Sequence, residues 1–136
     1  MIGRAMIGLD TNVIVRYITQ DDRVPSAAAT KLMDSLSSDS PGFLSLVVIA
    51  ELVWVLEVSY RFKKNEVEQV LGTLLRSKEL VIERAEVVWQ AVRKFSASRA
   101  DFADCLIERC GHTAECRHTL TFDRNAASAA GMKLIR

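Results

Sequence analysis

A chain of 136 residues with 49% hydrophobic and 26% charged side chains has the size and mix of one globular domain, residues 1–136, with enough apolar surface for a continuous core. Its 18 basic and 17 acidic residues leave a formal charge of +1, which excludes a strong overall field toward DNA, a membrane surface or an acidic partner, so any nucleic-acid site must be local. The longest apolar stretch, Leu44 to Leu56, is interrupted by Glu51 and falls short of the roughly 20 residues of a membrane span.

Met1 to Leu9 has one Arg, too short an apolar segment and no small-residue cleavage pattern, so it reads as a strand and not a signal peptide. That strand ends at Asp10, after which Val13, Ile14, Tyr17 and Ile18 recur at helical spacing. A second helix is expected from Ser26 to Leu36, with Pro25 at a first helical position and Ala28, Ala29, Leu32, Met33 and Leu36 on one face. Phe43 to Leu46 reads as the second strand. Val47 to Tyr60 is a helix apolar nearly all round, expected to be buried on most sides with Glu51 inside it. Glu66 to Ser77 is an amphipathic helix, Leu80 to Ile82 a third strand, and Ala85 to Phe95 a helix carrying Val88, Trp89 and Val92. The next helix runs from Asp101 to Cys110, with Gly111 as its left-handed end. His118 to Phe122 is a fourth strand closed by Asp123, Asn125 to Ala130 a short helix, and Lys133 to Ile135 an edge strand. Strands alternating with helices define an α/β class with a mostly parallel sheet of four to five strands covered by helices. Three cysteines, an odd count in a chain without an export signal, point to reduced thiols and a cytoplasmic protein.

In open parallel sheets, ligands bind beyond the carboxyl ends of the strands. Asp10 and Asp123 end two strands, Glu51 lies on the helix leaving another, and Asp101 and Asp104 start the helix that leads into the fourth. Each acid also has a plainer reading. Asp10 and Asp123 are ordinary N-cap residues, Asp101 and Asp104 suit the first turn of a helix dipole, and Glu51 can serve a structural salt bridge to a distant Arg. Glu51 is the hardest to assign to structure alone. Its helical neighbours Val47, Val48, Trp54 and Val55 include no base, and a buried carboxylate without a cation costs several kcal/mol. Oxygen-only donors select Mg²⁺ or Mn²⁺ over zinc and leave positions open for water and phosphate, which is the chemistry of phosphodiester cleavage.

The motifs Leu9-Asp10-Thr11-Asn12, Ala50-Glu51-Leu52, Asp101-Phe102-Ala103-Asp104-Cys105-Leu106-Ile107 and Thr121-Phe122-Asp123, in this order, resemble the PIN-domain family along the whole chain. Within that family they look most like the VapC-type toxins of toxin-antitoxin pairs. The resemblance implies a three-layer α/β/α fold and a Mg²⁺- or Mn²⁺-dependent endoribonuclease. By the same resemblance, Asp10, Glu51, Asp104 and Asp123 match the four acidic catalytic metal-site positions, Asp101 matches an accompanying acid, and either Asp101 or Asp104 is the principal third ligand. Thr11, Asn12 and Thr121 match small polar residues that orient a carboxylate or a metal-bound water. An RNA substrate, a homodimer and a cognate antitoxin whose tail fills the groove are further implications.

Arg99 and Arg124 flank the acidic motifs and are phosphate-contact candidates, with salt bridging to the site acids as the alternative. The Arg61, Lys63 and Lys64 run is read as a solvated helix end with RNA contact as its alternative. Cys110, His112, Cys116 and His118 lack the paired spacing of structural zinc sites. Trp54 and Trp89 read as core or dimer contacts. Two rival functions remain. An aspartate-based phosphotransfer or receiver-like domain is disfavoured because neither the Asp10 nor the Asp123 motif contains a Lys. A non-catalytic PIN-like binding module is disfavoured because all four acids are present.

Overall fold

Two short parallel ladders, each flanked by helices, carry the acids singled out in the sequence. The computed structural model describes residues 5–136; Met1 to Arg4 of the expected leading segment lie outside the described residues. The chain divides into two compact units, one running through Glu83 and the other from Arg84 to Arg136.

In the first unit the order is β1 (Ile7–Gly8), α1 (Thr11–Thr19), α2 (Arg23–Ser35), β2 (Gly42–Leu44), α3 (Leu46–Ser59), α4 (Lys64–Arg76) and β3 (Leu80–Ile82). The strands pair in parallel in the order β1-β2-β3, with Ile7 opposite Gly42 and Gly42 opposite Leu80. Parallel pairing needs crossover connections, and the two helices between each pair of strands supply them. The central strand passes closely under its neighbours: a Cβ on Gly42 would lie 2.6 Å from Leu9 Cδ1 and 3.0 Å from Leu36 Cδ1. Leu44, Ile49, Leu52, Leu56, Val67 and Leu71 are fully buried here. Helix α2 starts three residues before the expected Ser26, with Pro25 inside its first turn, where a missing N–H breaks no hydrogen bond. Ser26 is buried, and its hydroxyl has no partner among the described residues. Ser26→Ala is therefore expected to raise unfolding free energy by about 1 kcal/mol, since it removes an unsatisfied buried group and improves helix propensity; urea denaturation reads the shift, and a lower midpoint would show that the hydroxyl is satisfied in solution.

The second unit holds α5 (Ala85–Ala97), α6 (Phe102–Thr113), β4 (Leu120–Thr121), α7 (Arg124–Ala130) and β5 (Lys133–Leu134). Strands β4 and β5 are parallel, with Leu120 opposite Lys133, so the expected edge strand is present. Val88, Ala91, Phe95, Phe102, Cys105 and Ala126 are buried, and the Phe95 and Phe102 rings meet edge to face at 5.8 Å. Lys94 ties this unit together: its ammonium donates to Glu108 Oε1 at 2.9 Å and to the Ala130 carbonyl at 2.8 Å. The Glu108 carboxyl, bonded to Arg109 and Lys94, is held down to about 2, so it stays ionised at ordinary pH.

The expected end of α6 at Gly111 is corrected: the helix runs through Gly111 to Thr113. A Cβ at 111 would come within 2.5 Å of Thr119 Oγ1, so this glycine permits close chain approach, and the left-handed residue is Glu115, at φ 66°. The parallel α/β class expected from the sequence is the one observed. Among the described residues, no helix is long and apolar enough to cross a membrane.

Candidate active site

Asp10 sits two residues beyond β1 in an extended conformation, the geometry of an N-cap residue. Its Oδ1 accepts from the Thr11 backbone N–H at 2.8 Å. Thr11 is itself buried, and its hydroxyl donates to Glu51 Oε1. One residue thus holds two carboxylates that are 41 positions apart in the sequence, Asp10 through its amide and Glu51 through its hydroxyl. Glu51 reaches this place because β2 ends at Leu44 and Ser45 caps α3, accepting from Val48 N–H at 3.2 Å. Glu83, just past β3, adds a second anchor by accepting from Leu46 N–H at 2.9 Å. Asp10, Thr11, Asn12 and Glu51 line an open cleft of about 290 Å³, together with Val15, Arg16, Val55 and Tyr60.

The expected burial of Glu51 is corrected. Glu51 is exposed, and so are Val47, Trp54 and Val58, at 75%, 61% and 56%. Positions 47, 51, 54 and 58 repeat at helical spacing, so they form one stripe of α3. The opposite stripe, Ile49, Leu52, Val53 and Leu56, is the buried one. An apolar composition on every side concealed which face lies open, and Trp54 is accordingly not a core residue. Glu51 is oriented by a hydrogen bond, with no ion pair to a base among the described residues.

In the second unit three acids share a neighbourhood. Asp101 is the N-cap of α6, but its side chain makes no capping hydrogen bond and is exposed. Asp104 follows in the first turn and is half-buried. Partial burial pushes the Asp104 carboxyl above the usual range, and the negative charges of Asp101 and Asp123 push it further the same way. Asp123 caps α7, with Oδ1 accepting from Ala126 N–H at 3.0 Å. The Thr121 hydroxyl accepts from the Asp123 backbone N–H at 3.0 Å, so the Thr expected to orient an acid contacts that acid's main chain. The plain cap readings of Asp10 and Asp123 are correct as far as they go, since each carboxylate caps with Oδ1.

Asp10, Thr11 and Glu51 in the first unit, and Asp101, Asp104 and Asp123 in the second, each present oxygen donors of the kind a hard divalent ion takes. Burial raises Asp104 most, and the charge repulsion that adds to it is the repulsion a cation would relieve. Among the described residues, no three Asp, Glu, His or Cys side chains are drawn closely enough to hold an ion by themselves. Mg²⁺ is ordinarily held by one or two carboxylates with water or substrate oxygens in its remaining positions, so the donors present fit that ion.

Arg99 and Arg124 are exposed, and neither forms an ion pair with an acid among the described residues. The Arg99 carbonyl accepts from Asn125 Nδ2 at 3.3 Å. Arg61, Lys63 and Lys64 lie exposed at the start of α4. Cys110 and His112 sit on α6, Cys116 and His118 in the exposed segment after it, and all three cysteines are free. Trp89 is half-buried. Sequence reasoning missed Arg16 and Tyr60 in the Asp10 cleft. Arg16 carries a signal in its place on α1, five residues after Thr11 and so within two turns of the acid; Tyr60 has none, because only folding brings it there.

The family model described as PIN domain matches residues 7–132. A VapC ribonuclease of Aquifex aeolicus (strain VF5) is 24% identical over 98 residues, which cover 72% of this chain and 73% of that protein.

Proposed function

The chain belongs to the PIN-domain family, and from that premise we propose that it is a Mg²⁺- or Mn²⁺-dependent endoribonuclease, the toxin of a toxin-antitoxin pair. The observation that carries the reading is Thr11, which fixes Asp10 and Glu51 beside one cleft with no neutralising base on either. Asp10, Glu51, Asp104 and Asp123 are the proposed metal-holding acids, with Asp101 as an accompanying acid. A bound divalent ion would acidify an attacking water and offset charge on the phosphate. The protein's own part is to orient. Thr11 holds Glu51 through its hydroxyl, the first turn of α1 holds Asp10, and that of α7 holds Asp123. Each capping acid uses Oδ1 for its helix, and Oδ2 makes no further hydrogen bond among the described residues. Asn12 lines the same cleft and supplies an amide for substrate or water.

The ribonuclease relative supports RNA as substrate. A cytoplasmic location, a cognate antitoxin and a homodimer complete the proposal. The exposed Val47, Trp54 and Val58 stripe is apolar surface that a second protein would cover.

Expression of wild-type protein and of Asp10→Asn, followed by sequencing of RNA ends, tests the function and reveals the substrate together. Wild type is expected to generate new ends at defined sites and to arrest growth, while Asp10→Asn does neither. Identical end profiles from the two proteins would leave the nuclease reading without support.

A further inference from the structure

We propose that Arg16, clamped by Asp21, is the phosphate-binding cation of the Asp10–Glu51 cleft and sets the grip on RNA; this rests on the ribonuclease reading above. An acidic cleft repels a polyanion, so an RNA-cleaving site needs a positive group at its edge. Arg16 lines the cleft along with Asp10, Thr11 and Glu51. Its Nη1 donates to Asp21 Oδ1 at 3.0 Å, and this is its ion pair among the described residues. The guanidinium is thus turned to an acid outside the cleft lining, which leaves Asp10 and Glu51 unneutralised. Its other N–H groups stay available for a phosphate, which a planar guanidinium matches in two-point geometry.

Asp21 is organised well beyond what a surface ion pair requires. It accepts from Arg16, from the Thr19 hydroxyl at 3.0 Å and from the Tyr60 hydroxyl at 2.5 Å. The Tyr60 contact ties the end of α3 to the loop after α1 across 39 positions. These bonds hold the Asp21 carboxyl down to about 2, the Tyr60 hydroxyl contributing most, so the clamp remains charged at any physiological pH. Arg16 and Asp21 are each 36% exposed, and ion pairs of that exposure add little to stability. Such ordering is explained by a guanidinium held ready at the cleft, because a side chain fixed beforehand loses less entropy when it binds. Asp21 and Tyr60 are positioning residues.

The test uses cleavage kinetics with the 136-residue protein, and binding of a fluorescein-labelled single-stranded RNA to protein carrying Asp104→Asn. Arg16→Ala is expected to raise KM and the RNA dissociation constant about tenfold with kcat changed less than threefold, as for loss of one charge-assisted phosphate contact. The slope of log affinity against log salt should fall by about 0.7, the value for one phosphate contact on a single strand. Arg16→Lys should restore the salt slope and part of the affinity, and Asp21→Asn should weaken binding less than Arg16→Ala. An Arg16→Ala protein that keeps wild-type KM, affinity and salt slope overturns the assignment while leaving the nuclease reading intact. So does one that loses kcat alone. A wild-type protein that neither binds nor cleaves RNA overturns both.

Discussion

Asp104→Asn is expected to lower RNA cleavage by about 10³-fold or more, equivalent to roughly 4 kcal/mol of transition-state stabilisation, while the protein stays folded. Asp104 is half-buried at the start of α6, with Asp101 and Asp123 near enough to raise its proton affinity. A carboxylate whose charge is opposed by burial and by two like charges gains most from a divalent ion, and its amide isostere keeps the shape without the charge. Stability should move the opposite way from activity. A raised acid pKa means that the folded state holds its proton more tightly than the unfolded chain, so stability is lost as pH rises through the ordinary carboxylate range. Above that range, in metal-free buffer, Asp104→Asn should therefore melt no lower than wild type, and calorimetry in EDTA reads the difference. Asp101→Asn, at an exposed side chain that its own helix does not use, should cost only about 10- to 30-fold, the scale of a supporting group. The reverse ranking would make Asp101 the principal ligand of the pair. Asp104→Asn protein that still cleaves RNA at the wild-type rate would remove this acid from the site.

The second large effect concerns metal and the residue that orients its donors. Millimolar Mg²⁺ or Mn²⁺ is expected to raise the melting temperature by several degrees, because an ion present at a hundred times its dissociation constant stabilises the folded state by about 2.7 kcal/mol. Thr11→Val should remove much of that shift and reduce cleavage by about 10- to 100-fold. Valine has nearly the volume of threonine, so the buried position stays filled. What is lost is the hydroxyl donated to Glu51, and Glu51, exposed as it is, then samples several rotamers. The Thr11 amide still serves Asp10, so one half of the donor pair is untouched. Thr11→Ser keeps the hydroxyl and should retain most of the metal response. If the metal-induced shift were the same in Thr11→Val as in wild type, Glu51 would not need this bond to hold an ion. A wild-type melting curve indifferent to both metals would count against the metal site itself.

Local patterns carried most of the element order into the sequence. Leu80 to Ile82 is a strand at the residues read from composition, and α1 begins directly after Asp10, because a capping acid after an apolar run acts within a few residues. The motif spacing likewise placed Asp10 beyond β1, Glu51 on α3 and Asp123 beyond β4, since where a strand ends is a local matter. The misreadings arose where one residue type satisfies two demands. Gly111 looked like a left-handed helix end, whereas it lies within α6, at a point where Thr119 approaches too closely for a side chain. Pro25 looked like a boundary, yet any first-turn position tolerates it.

From the residues alone, the chain specified a parallel α/β fold and an order of acids that resembles that of a nuclease family, because period, caps and spacing are properties of neighbours along the backbone. Tertiary structure alone decided that the Glu51 face of α3 is open, that Thr11 joins Glu51 to Asp10, and that Tyr60 and Asp21 hold Arg16 at the cleft. A helix apolar on every side has no preferred inward face until its neighbours cover one, and a hydrogen bond across 39 positions has no trace in local pattern.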